Sequence, residues 1–377
     1  MMRPIRVALI AVLLVACGSG SATPSVDPPS GDTPSGDPLG ALLARARTRL
    51  DGVDGPDTWE VAVCRVPVGV KDPYYADVDA RMSRSAEELV ALLAPVSDYF
   101  ARWSGGAYVP RFVPAARAVS ILADETSQEC VERAIEQSAD DSDGVLVIAN
   151  AQHAEDVEGG RGGPGRACTD DCSARATRRY VYVGASDFMS DRGDAPPLDL
   201  VEHELGHGLD WPHSSLTDRG FEDRAYDSPY DLMSDSAAAR SADPTRRHGP
   251  GVLAIDLVAA GWVGRERVVE MRDGRSTVEI GVRSAPAGPV VVVVPLDEAS
   301  LLTVELVSAT GDDGFHDSDF VIVHRVELGV EGSGIDRRQF TVSGELRAGD
   351  RWTGEGRAVR VIDIAGGVAR LEISAGA

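Results

Sequence analysis

The sequence has few positively charged side chains for its length. Its 377 residues include 37 lysines and arginines against 60 aspartates and glutamates, which gives a formal net charge of −23. Binding to nucleic-acid phosphates or to anionic lipid surfaces requires a positively charged footprint. Neither is therefore an expected partner. The acidic balance favours solubility and carries little information about the fold.

Long apolar runs are also missing. The run over residues 7–16 is too short to span a bilayer as a permanent helix, and it follows Arg3 and Arg6 as in an export signal. Leu-Val-Ala-Cys at 14–17 resembles the lipobox of bacterial lipoproteins, in which the cysteine is lipidated and becomes the new N-terminus. The alternative is an ordinary cleaved signal peptide with an incidental cysteine. Both predict export, and the lipobox predicts anchoring to the bacterial cell envelope through a lipid on Cys17.

Cysteine is scarce, with four residues beyond Cys17, namely Cys64, Cys130, Cys168 and Cys172. An even number in an exported chain predicts two disulfides. The sequence does not determine the pairing. A Cys168–Cys172 bridge would close a short polar loop and leave Cys64 to pair with Cys130. A cysteine metal site is disfavoured because the usual paired CxxC spacing is missing.

The composition divides the chain into four segments. Residues 1–16 are the predicted signal peptide, and 17–56 are predicted to be the lipidated cysteine and a disordered tether, since 18–40 are almost entirely Gly, Ser, Pro, Thr and Asp. Strands alternate with helices over 57–264, which predicts an α/β domain. Apolar strands separated by Gly and Asp turns over 265–377 predict a small all-β, sandwich-like domain.

Within the α/β segment, apolar patterning predicts individual elements. Strands are expected at 59–68, 107–114, 144–150 and 178–185, and helices at 84–103 and 127–139. A further helix is expected to begin at Asp199, with Glu202 three residues later as its capping-box partner.

That last helix leads into VEHELGHGLDWPHSS (201–215), which contains three of the chain's seven histidines. On a helix, His203 and His207 are one turn apart on the same face, and Glu204 lies at its edge. His213 follows a turn and can swing back towards the same point. Three histidine ligands leave one position of a zinc ion open to water. The spacing therefore predicts one catalytic Zn²⁺ ion with Glu204 as general base.

This HExxHxxxxxH arrangement resembles that of the metzincin zinc endopeptidases. The resemblance implies a twisted mixed sheet, an active-site helix and a methionine turn beneath the zinc, for which SPYDLMSD offers Met233. The family's glycine three residues after the second histidine is Asp210 here, and Asp is one of the few non-glycine residues that adopts the left-handed conformation. The tyrosine that some members carry two residues after the methionine is Asp235 here, so that role does not carry over.

Other segments resemble gametolysin-like and immune-inhibitor-A-like secreted peptidases, namely 96–112, 253–263 and 301–328. Together with the zinc motif, the resemblance touches most of residues 59–328. It implies cleavage of a protein or peptide substrate by zinc-activated water, and we expect a monomer. Two alternatives are a catalytically silent metzincin-fold module for surface binding or adhesion, and a zinc hydrolase of a non-peptide substrate. The presence of Glu204 argues against the silent module.

The remaining histidines and acidic clusters have simpler interpretations. His153 is expected in a loop, His248 on a solvated surface and His324 on the polar face of a strand. His316 lies in an acidic loop whose aspartates could bind Ca²⁺, although a solvated turn is favoured because no calcium-loop spacing is matched; these aspartates are Asp312, Asp313, Asp317 and Asp319. The glycine-rich stretch 159–165 lacks a P-loop lysine, so phosphate binding is not expected.

Overall fold

The computed structural model describes residues 38–46, 55–69, 81–151, 160–163, 178–189, 193–218, 226–272, 274–329 and 337–376. The predicted signal peptide, Cys17, His153, Cys168 and Cys172 lie outside these residues. No helix among the described residues combines the length and the apolar character needed to cross a membrane.

In chain order the described helices and strands are α1 (Pro38–Ala46), β1 (Thr58–Arg65), α2 (Ala86–Trp103), β2 (Arg111–Pro114), β3 (Val119–Ser120), α3 (Ser127–Gln137), β4 (Gly144–Ala149), β5 (Gly160–Gly163), β6 (Arg179–Val183), α4 (Asp199–Gly208), β7 (Ser214–Ser215), α5 (Ala238–Ala242), α6 (Ala254–Ala259), β8 (Val268–Glu270), β9 (Arg275–Gly281), β10 (Val291–Pro295), β11 (Ser300–Val307), β12 (Phe320–Leu328), β13 (Arg337–Thr341), β14 (Arg351–Gly354), β15 (Arg357–Ala365) and β16 (Val368–Ala375).

The first sheet has the strand order β2-β1-β4-β6-β5, with β3 beside the end of β1. Its strands are parallel except β5, which pairs antiparallel with β6. All six residues of β4 are buried, as expected for a central parallel strand covered on both faces. Leu146 and Ile148 face the cluster that contains α2, whereas Val145 and Val147 face α3. The predicted α/β character is confirmed.

The helices α2 and α3 begin within two residues of their predicted starts at 84 and 127. Ser85 and Glu88 form a capping box at the start of α2, and Thr126 and Glu129 form one at the start of α3. Each box satisfies backbone N–H groups that would otherwise lack partners.

The C-terminal part of the chain is all-β, as predicted. One sheet has the order β7-β13-β12-β11-β10-β8 and a second has the order β14-β15-β16-β9. Apolar side chains from both sheets meet in one cluster, which includes Val292, Val304, Val359 and Leu371. The short strand β7, which follows directly after His213, pairs in parallel with β13. This sheet therefore includes residues from both predicted domains.

The prediction of a disordered tether over 17–56 is wrong for residues 38–46. They form α1, in which Leu39, Leu42 and Leu43 are buried and which packs against α6. Arg337 of β13 donates a hydrogen bond to the carbonyl of Ala46 at 2.7 Å. The cause is the helical spacing of three leucines, which the surrounding Gly- and Pro-rich composition masks in the sequence.

The acidic loop after β11 is held by N–H donors. Arg102 and the indole of Trp103 each donate to Asp312 at 2.9 Å, and Arg283 donates to Asp313 at 2.6 Å. Asp313 is buried, so the favoured interpretation of a solvated turn is wrong at this residue. These donors compete with any cation for the same carboxylate oxygens.

The disulfide between Cys64 and Cys130 joins β1 to α3, with a Cα–Cα distance of 5.9 Å. It confirms one of the pairings that the sequence left open. Both cysteines are buried in the cluster between α3 and the sheet.

Replacing both cysteines, in Cys64→Ala/Cys130→Ala, is expected to lower the free energy of unfolding by about 4 kcal/mol, because the bridge closes a loop of 66 residues in the unfolded chain. Urea unfolding of the oxidised proteins measures this difference. A loss close to zero would show that this bridge does not form in solution.

Candidate metal centre

The helix α4 carries two of the three histidines of the motif. His203 and His207 are one turn apart, with ring centroids separated by 4.8 Å, and α4 packs against β5 and β6. His203 and Glu204 are buried. The sequence prediction that these two imidazoles share one face of a helix is confirmed.

A left-handed residue returns the chain towards the helix. Asp210 has a φ of 63°, and the N–H of Trp211 then donates to the carbonyl of Gly206 at 3.0 Å. This reversal brings His213 back, so that its Nε2 lies 2.8 Å from Nε2 of His207. Aspartate therefore adopts the left-handed conformation here, as its residue type allows.

Backbone carbonyls orient two of the imidazoles. Nδ1 of His203 donates to the carbonyl of Leu232 at 2.7 Å, and Nδ1 of His207 donates to the carbonyl of Trp211 at 3.0 Å. A carbonyl oxygen can only accept, so the proton of each neutral ring is on Nδ1. The Nε2 lone pairs are left for a metal, which is the usual arrangement of histidine ligands.

The three histidines fit a zinc ion. One ligand atom from each of His203, His207 and His213 lies within 4.8 Å of the others. Zn–N bonds of about 2.0–2.1 Å in a tetrahedral site place two ligand nitrogens about 3.3 Å apart. Nε2 of His207 and Nε2 of His213 are 2.8 Å apart, near this spacing, and side-chain rotations could bring the three ligand atoms to it.

Burial keeps these rings neutral near pH 7. It lowers the pKa of His203 to about 4 and is also the main cause that lowers the pKa of His213 to about 3. The pKa of His207 is well below its usual value because of burial and the neighbouring charges of His203 and His213. Neutral imidazole is the form that binds metal ions.

Glu204 and the three histidines line one cavity of about 540 Å³. Strand β5 and the segment 234–237 after the methionine turn form parts of its wall. Tyr226 also lines this cavity, and its ring centroid lies 4.7 Å from that of His213. Arg337 and Arg338 of β13 complete the wall from the C-terminal sheet.

Met233 is fully buried, and its side chain lies against the helix α4. A Cβ at Gly206 would collide with its Sδ, so α4 rests directly on this side chain. The carbonyl of Met233 accepts a hydrogen bond from the N–H of Ser214 at 3.1 Å. The turn therefore contacts both the helix and the segment that carries His213.

The predicted capping box at the start of α4 is wrong. Leu198 is the N-cap residue, and the buried carboxylate of Asp199 pairs with Arg240 at 2.9 Å. Glu202 accepts hydrogen bonds from Nδ1 of His248 at 2.6 Å and from a backbone N–H. Both carboxylates face the interior, where partners distant in sequence neutralise them.

Two further histidine predictions are also wrong. His248 is partly buried against Glu202 rather than solvated, and its ring stacks on Tyr99 with centroids 5.8 Å apart. His324 is buried on β12, with Nδ1 3.3 Å from the carboxylate of Glu305. The prediction for His324 was wrong because the sequence of β12 does not show that both faces of this strand are covered in the folded protein.

Neither the scan against protein-family models nor the search of curated proteins finds a match to the chain.

The left-handed conformation of Asp210 can be tested by two substitutions that remove the same carboxylate. The free energy of unfolding of Asp210→Gly is expected to be about 1 kcal/mol higher than that of Asp210→Ala, because a positive φ is unfavourable for alanine and not for glycine. Urea unfolding of the metal-free variants measures the difference. Equal stabilities would contradict this conformation.

We expect the chain to bind one zinc ion and to release it to a strong chelator. His213→Ala removes a ligand and is expected to weaken zinc affinity by more than about 100-fold, measured by competition with a chromophoric chelator. The matched control is His316→Ala, since His316 lies outside the site, and it should bind zinc like the wild type. Undiminished affinity in His213→Ala would exclude this ligand set.

Proposed function

We propose that the chain is an exported, metzincin-type zinc endopeptidase that is anchored to the cell envelope by a lipid on Cys17. The observation that carries the proposal is the convergence of three neutral imidazoles, two of them oriented by backbone carbonyls, on the cavity that Glu204 also lines. Structural zinc sites use four protein ligands, whereas three ligands beside an open cavity are typical of catalytic sites.

His203, His207 and His213 would hold the zinc ion, which supplies Lewis-acid chemistry to a water molecule and to the scissile carbonyl when bound. Glu204 follows His203 directly in the chain and lines the same cavity. Its carboxylate accepts the proton of the attacking water and then passes this proton to the leaving amine. A base held beside the reacting atoms is worth about 10²–10⁴-fold in rate.

The surroundings of the site support the metzincin assignment. The sheet is mixed, with an antiparallel edge strand beside α4, and Met233 is buried under Gly206. Asp210 supplies the positive φ that the family obtains from glycine. These features are what the motif's resemblance implies, and they come from segments of the chain outside the motif as well as within it.

The C-terminal sheet supports the site in two ways. Strand β7 pairs with β13 through Gln339 and Phe340, immediately after His213. Arg337 and Arg338, next to these residues, line the cavity. We infer that the β-rich region positions the third ligand and forms part of the substrate cleft.

The test compares wild type with Glu204→Gln, both as residues 18–377, on a complex peptide library. We expect wild type to cleave peptides and Glu204→Gln to be slower by about 10³-fold, with one zinc ion bound to each. The matched control is Glu279→Gln, because Glu279 is exposed on β9, away from the cavity.

Three outcomes would contradict parts of the proposal. Zinc binding without cleavage by wild type would favour the binding module or a non-peptide substrate. Cleavage that persists in Glu204→Gln would remove Glu204 from the chemistry. Cleavage without bound zinc would exclude the metal mechanism.

A further inference from the structure

Strand β5 has the sequence Gly-Arg-Gly-Gly (160–163) and is the edge strand next to the cavity. No function was predicted for this glycine-rich stretch. Its glycines do not have positive φ, so the backbone conformation does not require glycine at these positions. The limited space around these positions therefore explains why they are occupied by glycine.

The three glycines differ in what a side chain would meet. A Cβ on Gly160 would lie 2.8 Å from Oε1, 2.9 Å from Cγ and 3.1 Å from Cδ of Glu204. A Cβ on Gly162 would collide with the backbone carbonyl of Glu204 and lie 3.0 Å from Cβ of His207. On the opposite face, a Cβ on Gly163 would lie 2.8 Å from the Tyr180 ring.

We propose that Gly160 is a positioning residue for the general base: the absence of its side chain allows β5 to lie on α4 and sets where the carboxylate of Glu204 stands in the cavity. The position of the carboxylate follows from the contacts alone, whereas its role as general base rests on the proposed function. The nearest atoms to the missing Cβ all belong to the Glu204 side chain, so a methyl group there displaces the carboxylate. At Gly162 the obstacle is backbone, and there the strand or helix must move instead.

The displacement is large enough to affect catalysis. Ordinary van der Waals contact begins near 3.4 Å, so the carboxylate must move by several tenths of an ångström to accept a methyl group at Gly160. A misplacement of about 1 Å in an active site costs about 100-fold in rate. Because the histidine rings are not among these contacts, the metal ligands are not displaced by the same change.

The first experiment is a double-mutant cycle on peptide cleavage. Gly160→Ala is expected to lower kcat by about 10- to 100-fold, with KM and zinc content unchanged. In the Glu204→Gln background the same substitution should have no further effect, because the misplaced base is already lost. Equal losses of kcat in both backgrounds would indicate a merely structural role and overturn the proposal.

Two other glycines serve as controls. Gly163→Ala perturbs the same strand on the face of Tyr180, and Gly344→Ala adds a methyl group in open space. Gly344→Ala should match wild type, and any loss in Gly163→Ala should be additive with Glu204→Gln. If Gly160→Ala does not fold, Gly160→Ala/Glu204→Ala removes every atom of the Glu204 side chain that the new methyl group would meet; it should fold with the stability and zinc affinity of Glu204→Ala alone. A lower stability or zinc affinity than Glu204→Ala would contradict the proposal.

The second experiment needs no turnover. Crystal structures of zinc-loaded wild type and Gly160→Ala should show the Glu204 carboxylate displaced while the three imidazoles superpose. Such a displacement together with an inactive wild type would refute the proposed function and leave the positioning intact. An active wild type with an unmoved carboxylate in Gly160→Ala would overturn the positioning alone.

Discussion

The hydrogen bond from Nδ1 of His203 to the carbonyl of Leu232 connects the two parts of the site. On one side it selects the tautomer of a ligand in α4, and on the other it holds the buried turn that contains Met233. That turn is itself tied to the chain on both sides, since the N–H of Leu232 donates to the carbonyl of Gly251 and Ser214 donates to Met233. Losing this bond would leave a buried carbonyl without a partner and a ligand free to rotate.

Burial of three neutral imidazoles links metal binding to folding. The positions of His203, His207 and His213 require α4, the left-handed turn at Asp210 and the pairing of β7 to be in place. An unfolded chain has none of these, so the free energy of the proposed zinc binding would add to that of folding. The two buried carboxylates of the same helix need no metal ion, because Asp199 pairs with Arg240 and Glu202 pairs with His248.

The sequence predicted what depends on neighbours in the chain. The placement of His203 and His207 on one face of α4, with Glu204 beside them, and the main strands of the first sheet follow from spacing and periodicity. The partners of Asp199 and Glu202 could not be predicted, because they lie 41 and 46 residues away. Strand β5 was not predicted either, because three glycines in four residues show no apolar alternation. Helix α1 was not predicted because its three leucines directly follow a long polar stretch, which led to the prediction of a disordered tether.

The third histidine of the motif, His213, lies where the two predicted domains meet. His213 precedes β7, whose only strand partner among the described residues is β13 of the C-terminal sheet. Beside this pairing, Asp256 of α6 forms a buried ion pair with Arg337 and accepts a hydrogen bond from Gln339 at 2.8 Å. A chain ending near residue 264 would leave this carboxylate buried without its cation, which costs several kcal/mol. The β-rich region is therefore a structural requirement for the position of His213 and not an independent appendage.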